Sequence, residues 1–194
     1  MSGDRQLVRE AIASYFGGSP GNAAEGIFYQ EGPLNSLGLG TAYPYTVKGA
    51  PDGAYTAGQP AGAAFGAVLS VRLDETRITR AAMGGKTSGY RCRNYTAVCA
   101  IEVISYDPLL ETAEAALDDL VDGLLGAIYA DRTLGSYSPA LYPNPPYFGN
   151  RLITQAGEGT EGILIGAPTW DTSDRAKGRG GLAVTFDALT MIQA

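Results

Sequence analysis

One continuous stretch, YTAVCAIEVISYDPLLETAEAALDDLVDGLLGAIYA (residues 95–130), decides the fold. In its first half every second residue from 95 to 103 falls on one face of an extended chain, and both faces are largely apolar. Within a strand from Tyr90 to Tyr106, this pattern indicates a central strand covered on both sides. Asp107-Pro108 then stops the strand. Apolar residues at helical spacing predict a helix from about Pro108 to Ala130.

Shorter patterns on either side of this stretch extend the prediction. Apolar residues at helical spacing predict a first helix from Asp4 to about Phe16. Alternating residues predict strands at 67–74, 77–80 and 182–192, with further strand residues at 151–155 and 163–167, and a glycine-rich turn at 84–89. The order of elements predicts an α+β fold, with a mostly antiparallel sheet flanked by two helices.

Two long loops rich in Gly, Pro and Tyr interrupt these elements. Residues 30–64 have too few large apolar residues at regular spacing to form a packed element. Two interpretations stay open: a disordered connection, and an extended arm that folds against a partner, which the tyrosines favour. A second loop, SYSPALYPNPPYFGN, covers residues 136–150. We therefore expect one domain over residues 1–194 that carries this arm and this loop.

The composition argues against most catalytic sites. The chain has no histidine, which removes the commonest general base and the commonest metal ligand. Cys92 and Cys99 are two thiols at an odd separation, on opposite faces of one strand, so neither a disulfide nor a zinc site is expected. No apolar run is long enough to span a bilayer, and the N-terminus has no secretory pattern. We expect a soluble protein made in the cytoplasm, not an enzyme, with no cofactor and no metal.

The segment DDLVD (residues 118–122) matches DDxxD, the magnesium-binding motif of isoprenoid synthases. Asp118, Asp119 and Asp122 would then be the ligands of a magnesium-dependent enzyme, which is the alternative from a different functional class. The chain lacks the second acidic cluster and the phosphate-binding basic groups that such chemistry needs. Helical spacing instead aligns Asp118 and Asp122 with Glu111 and Glu114 in one acidic stripe, opposite the leucines. This stripe is expected to face solvent or a partner.

Charge is segregated along the chain. Residues 72–93 hold six of the fourteen basic residues, and residues 107–131 hold seven acidic residues and no basic one. The two groups either neutralise each other within one chain, face water, or meet between chains, so that the basic hairpin of one protomer lies on the acidic helix of the next and closes a ring. The hairpin also suits transient contact with DNA. The candidate subunit or partner interface comprises Arg72, Arg77, Arg80, Lys86, Arg91, Arg93, Glu111, Glu114, Asp118 and Asp122.

Four segments carry a resemblance to a known family. They are LVREAIASYF (7–16), the strand-to-helix passage ending at residue 135, ITQAGEGTEGILIG (153–166) and GGLAVTFDALTMI (180–192). With them the chain resembles the tail terminator proteins of long-tailed, lambda-type phages. The matching segments lie outside the two long loops and are patterns of residues rather than catalytic signatures.

The resemblance implies a structural role in the virion. Such proteins form a homohexameric ring on the end of the tail tube, stop its polymerisation, and join the tail to the head-completion or connector proteins of the neck. Genomic DNA passes through the ring without sequence-specific binding, and no membrane or cofactor takes part. The resemblance also implies assembly in the host cytoplasm. Another ring-forming neck connector or a tail tube protein is the nearest alternative.

Overall fold

A mostly antiparallel sheet carries the fold, which belongs to the α+β class as the sequence predicts. The computed structural model describes residues 4–17, 19–20, 29–30, 32–47, 49–81, 90–107, 110–135, 152–157, 162–174 and 177–193, with the backbone alone at 4, 19–20, 29–30, 79–81, 90–91 and 192–193. The elements found in these residues are α1 (Asp4–Gly17), β1 (Ser19–Pro20), β2 (Tyr29–Gln30), β3 (Leu39–Tyr43), α2 (Asp52–Tyr55), β4 (Phe65–Ala81), β5 (Tyr90–Ser105), α3 (Glu111–Ala130), β6 (Gln155–Gly157), β7 (Leu164–Ile165), β8 (Thr169–Asp171) and β9 (Gly178–Gln193).

The long strands stand at the centre of the main sheet, in the order β3-β4-β5-β9. Three short strands, β6, β7 and β8, pair along the far edge of β9, which gives seven strands among the described residues. Every pair is antiparallel except β3 with β4. β1 and β2 form a separate two-stranded ladder. The turn predicted between β4 and β5 lies outside the described residues.

Both long helices pack on one face of the sheet, which we call the helix face. The residues of β5 that the alternation placed together, from Tyr95 to Val103, are buried there in one cluster with apolar residues of α1 and α3. Fully burying each large apolar side chain contributes about 1.5–3 kcal/mol. The prediction of two flanking helices is confirmed. The expectation that β5 is covered on both sides holds in part: on the opposite face Val98 and Ile104 are buried, whereas Thr96, Ala100 and Glu102 are partly exposed.

The chain between residues 32 and 64 is packed, so the prediction that residues 30–64 hold no packed element is wrong in the described part. β3 runs parallel to β4 and pairs with it at residues 67–70. Parallel neighbours need a crossover connection of a dozen or more residues. Residues 44–64, which we call the strap, make that crossover over the opposite face and include α2. The strap packs on its own sheet instead of extending to a partner.

Close backbone contact explains why the strap packs with so few large side chains. A Cβ atom on Gly40 would lie 2.4 Å from the carbonyl oxygen of Tyr55, and one on Gly66 would lie 2.7 Å from the same oxygen. Glycine at both positions therefore lets the backbone at Tyr55 rest directly on β3 and β4. The Tyr55 side chain is fully buried beside Val68 and Ile104.

A β-bulge divides β4, which is one strand and not the two separate runs that the sequence predicts. Leu73 pairs with Ala97 and Thr76 with Tyr95, so two residues of β4 stand opposite one residue of β5. Arg5 of α1 donates hydrogen bonds to the hydroxyl of Thr76 and to the carbonyl of Leu73, the latter at 2.5 Å. The first helix thereby satisfies backbone at the bulge.

The start of α3, the second long loop and the two cysteines were also predicted from the sequence. α3 is described from Glu111, whereas the predicted start at Pro108 and the predicted loop at 136–150 lie outside the described residues. Cys92 and Cys99 are free and buried, as expected from their spacing. Burial raises the pKa of the Cys99 thiol, which keeps this thiol protonated and unreactive at neutral pH.

Candidate functional site

The acidic stripe predicted on the second helix is present on α3 as an exposed surface. The side chains of Glu111, Glu114, Asp118 and Asp122 all face solvent, as does Asp119, while Leu117, Leu120 and Leu124 are buried. None of these carboxylates forms an ion pair within the part of the chain that the structure describes. Glu111 and Glu114 lie in the first turn, where the helix dipole favours negative charge. The stripe is therefore not neutralised in the described monomer.

The geometry of DDLVD does not resemble a magnesium site. Among the described residues, which include Asp118, Asp119 and Asp122, no group of three or more His, Cys, Asp or Glu side chains is placed to hold a metal ion. The three aspartates project from an exposed helix surface, and the residues between them, Leu120 and Val121, belong to the core. The motif here is the polar side of an amphipathic helix.

The predicted basic residues are split between the two faces of the sheet. Arg72 pairs with Asp74 at 2.8 Å and Arg77 with Glu75 at 3.0 Å, so two ion pairs stand on either side of the bulge. Along β4 both arginines alternate with residues whose side chains are on the helix face. Arg72 and Arg77 therefore lie on the opposite face. Arg93 falls on the helix face, two residues before buried Tyr95. The predicted basic cluster is thus not a single surface.

The remaining predicted basic positions are at the end of the hairpin. Arg80 and Arg91 are paired directly in the strand register, and only their backbone is described. Lys86 lies outside the described residues, in the connection between β4 and β5. Arg5 is not among the predicted residues, although its contact with the bulge joins α1 to this end of the sheet.

The acidic stripe and the basic hairpin end lie at opposite ends of the sheet. Leu110 rests on Gly178 at the start of β9, so α3 begins beside that end. Ile128, near the other end of α3, lies against Gly157, which pairs with Asp187. Arg93 pairs with Thr190, further along β9 in the same direction. The structure therefore does not bring the two predicted charge groups together within one copy.

The sheet continues beyond its short strands as a three-stranded extension with two open edges. The extension consists of residues 78–81 of β4, 90–93 of β5 and 190–193 of β9. β3 pairs with β4 only as far as Ser70, and β6 pairs with β9 only at residues 187–189. Within the described chain, β4 after Ser70 and β9 after Leu189 therefore have a strand neighbour on one side alone.

The two open edges run in the same direction at the same level of the sheet. β4 and β9 are each antiparallel to β5, so they are parallel to each other. Ala81, Tyr90 and Gln193 form one row across the three strands, so the described parts of the two edges reach the same level of the sheet. The sequence offers one signal for this feature, the length of the final strand, but the missing neighbours depend on non-local pairing that no pattern reveals.

A polar cluster fastens the strap at the other end of the sheet. The hydroxyl of Tyr55 donates to Oε1 of Glu102 at 2.6 Å. Asp52 forms ion pairs with Lys177 and, at 3.7 Å, with Arg179, both beside or within β9. Burial, followed by the hydrogen bond to Glu102, raises the pKa of Tyr55. The cluster joins the strap to both central strands.

The ion pair of Asp52 is expected to make stability depend on pH in the acid range. The hydrogen bond from Lys177 lowers the pKa of Asp52 and raises that of Lys177. A lowered carboxyl pKa contributes stability above the unfolded-state value of about 4, and this contribution is lost as the pH falls through the folded-state value. We expect Asp52→Asn to lower the melting temperature at pH 7, and the difference from the unmodified chain to shrink below about pH 4.

Thermal unfolding followed by circular dichroism across this pH range measures the effect. Asp119→Asn, at an exposed carboxylate on α3, serves as the control and is not expected to lower the melting temperature. An unchanged difference between the Asp52→Asn chain and the unmodified chain at pH 3 would show that the ion pair does not hold the strap.

Comparison with known proteins leaves the function to be argued from the molecule itself. No protein-family model matches the chain. No curated protein matches it significantly. None of the helices in the described ranges is long and apolar enough to cross a membrane.

Proposed function

We propose that this protein is a structural component of a phage virion, a tail terminator that assembles as a homohexameric ring. The ring caps the tail tube, ends its polymerisation, and joins the tail to the head-completion or connector proteins. Two lines of argument support the proposal: the resemblance of four segments to the tail terminator family, and the pair of open, mutually parallel strand edges. The second of these carries the assembly step.

The open edges suit a closed ring because they differ from each other and run in the same direction. Copies related by rotation about an axis roughly along the strands keep their strand direction. The edge of β4 in one copy then meets the edge of β9 in the next as a parallel pair. Such a head-to-tail contact is heterologous and closes into a ring. Six copies of the three-stranded extension would give about eighteen strands, a size that leaves an aqueous channel in barrels.

The position of the helices determines which side of the sheet faces this channel. α1 and α3 both lie on the helix face, so the less crowded arrangement places that face outward and the opposite face inward. Two arginines on the opposite face are already paired with carboxylates within one copy, Arg72 with Asp74 and Arg77 with Glu75. Asp187 accepts a hydrogen bond from the uncharged Asn94 at 2.7 Å and keeps its negative charge. A wall whose arginines are paired in this way attracts the phosphates of DNA weakly, so DNA can pass without being held.

In this arrangement the acidic stripe of α3 lies on the outside of the ring. It is then available to a basic surface of a neck protein or of another copy, and it does not face the DNA. The stripe faces outward in this arrangement because it and the channel-facing side, which carries the strap, are on different faces of the sheet.

The nearest alternative is another ring-forming neck connector or a tail tube protein, and one observation favours the tube. The acidic stripe and the basic hairpin end lie at opposite ends of the sheet, so two stacked rings would bring opposite charges together. Complementary ends favour stacking into a tube, whereas a terminator has one end that does not bind a further copy of itself.

Purification followed by light scattering and electron microscopy tests the proposal. We expect rings of six copies, formed alone or on the ends of tubes of tail tube protein, with no further stacking. Long tubes of the pure protein would favour the tail tube alternative. A strict monomer in the presence of tail tube protein would overturn ring assembly altogether.

A further inference from the structure

Two large apolar side chains are exposed at the edges where copies would meet. Ile78 is 63% exposed and lies on the helix face of the β4 edge, with Arg93 as its cross-strand neighbour. Tyr129 is 50% exposed near the end of α3, with the guanidinium of Arg132 at 5.4 Å from its ring centre. Each is a single large apolar residue on an otherwise polar surface. Ile78 lies on the β4 edge, whereas Tyr129 lies on α3, whose second half contacts β6 beside β9.

Tyr129 also stands one turn from a glycine that the monomer does not explain. Gly123 is required because a Cβ there would lie 2.3 Å from the Leu37 side chain. Gly126, in contrast, has open space around it, with no atom within 4 Å of the position a Cβ would take. Glycine inside a helix costs about 1 kcal/mol relative to alanine, so an open glycine next to an exposed tyrosine suits the close approach of another chain.

The two exposed residues are placed to meet if copies join through their strand edges. α3 lies mainly over β5 and also contacts β6, the short strand that pairs with β9 next to its open part, where Ile128 lies against Gly157 of β6. The second half of α3 therefore reaches from β5 toward that edge on the helix face. A β4 edge arriving there from another copy brings its own helix face, and Ile78, to the same side.

We propose that Ile78 of one copy packs on Tyr129 of the next copy, and that this contact sets the register of the seam. The proposal rests on the ring assembly argued above and specifies its interface. Charge acts on this pairing only at longer range, because the nearest carboxylate of the stripe, Asp122, lies about 10 Å from Tyr129 along the helix axis, while Arg93 arrives beside Ile78. The burial of the apolar pair is therefore what favours one orientation over others.

Cysteine cross-linking tests the contact directly. In a chain with both Ile78→Cys and Tyr129→Cys, mild oxidation is expected to give a ladder of covalent species that ends at the hexamer. An equal mixture of the two single variants is expected to stop at dimers. The unmodified chain, whose two thiols are buried, gives the background. Both substituted positions are exposed, so folding is expected to be unaffected.

The matched control moves one cysteine along the same helix. Thr112 is also exposed on α3, but it lies about 26 Å from Tyr129 along the helix axis, so Ile78→Cys with Thr112→Cys is not expected to cross-link. Rings in the absence of a 78–129 cross-link, or equal cross-linking of the 78–112 pair, would overturn the seam and leave ring assembly standing. A monomer by light scattering, without cross-links, would overturn both.

Discussion

Replacing Tyr55 with alanine is expected to lower the free energy of unfolding by about 3–5 kcal/mol, as for other large aromatic residues removed from a core. Tyr55 is the anchor of the strap: its ring is fully buried with Val68 and Ile104, and its hydroxyl donates to Glu102. Its removal leaves a cavity between the strap and the sheet and takes away the hydrogen bond at once. Urea unfolding at pH 7 measures the loss.

Two further tyrosine variants separate the contributions. Tyr55→Phe keeps the ring and removes only the hydrogen bond to the carboxyl group of Glu102, so a loss of about 1–3 kcal/mol is expected. Tyr45→Ala removes a tyrosine that is 53% exposed and contacts only Tyr43 among the described aromatic residues, at 5.6 Å between ring centres. Its effect is expected to stay below about 1 kcal/mol. Equal losses for Tyr55→Ala and Tyr45→Ala would mean that the strap is not packed.

The strap also shows where sequence patterns stop being informative. The strand and helix of residues 95–130 were predictable because each buries a periodic set of apolar side chains, and periodicity is visible in a sequence. The strap instead buries one tyrosine and presses its backbone on Gly40 and Gly66. A glycine that is needed for a close approach looks the same in a sequence as a glycine in a flexible loop. The segment therefore resembled an unpacked arm.

The candidate interface was predictable in composition but not in arrangement. The sequence identified the acidic stripe of α3, because helical spacing alone determines it. It did not reveal that Arg72 and Arg77 have carboxylate partners two residues away on the same strand, or that a bulge separates the two pairs. Nor did it show the open edges of β4 and β9, since a strand is at an edge only when no other strand pairs with one of its sides. Non-local pairing decides both features.

Introducing a negative charge at Ile78 is expected to dissociate the ring while leaving the monomer folded. Ile78 is mostly exposed, so Ile78→Glu is expected to change the free energy of unfolding by no more than about 0.5 kcal/mol. In the proposed seam, however, the new carboxylate replaces an apolar contact with Tyr129 of the next copy and lies on the side of its acidic stripe. A loss of about 2 kcal/mol at each seam corresponds to a roughly 30-fold weaker association, measured by sedimentation or light scattering over a range of concentrations.

The substitution Ile78→Lys separates the loss of the apolar contact from the effect of charge. Lysine removes the same apolar contact, but its positive charge is attracted to the acidic stripe of the neighbouring α3, so a smaller loss of association is expected for lysine than for glutamate. Raising the salt concentration should bring the two variants closer together, because screening weakens interactions between exposed charges. Equal dissociation of both variants at low salt would show that the stripe of the next copy does not face this edge. Association as strong as that of the unmodified chain in both variants would show that Ile78 lies outside the seam.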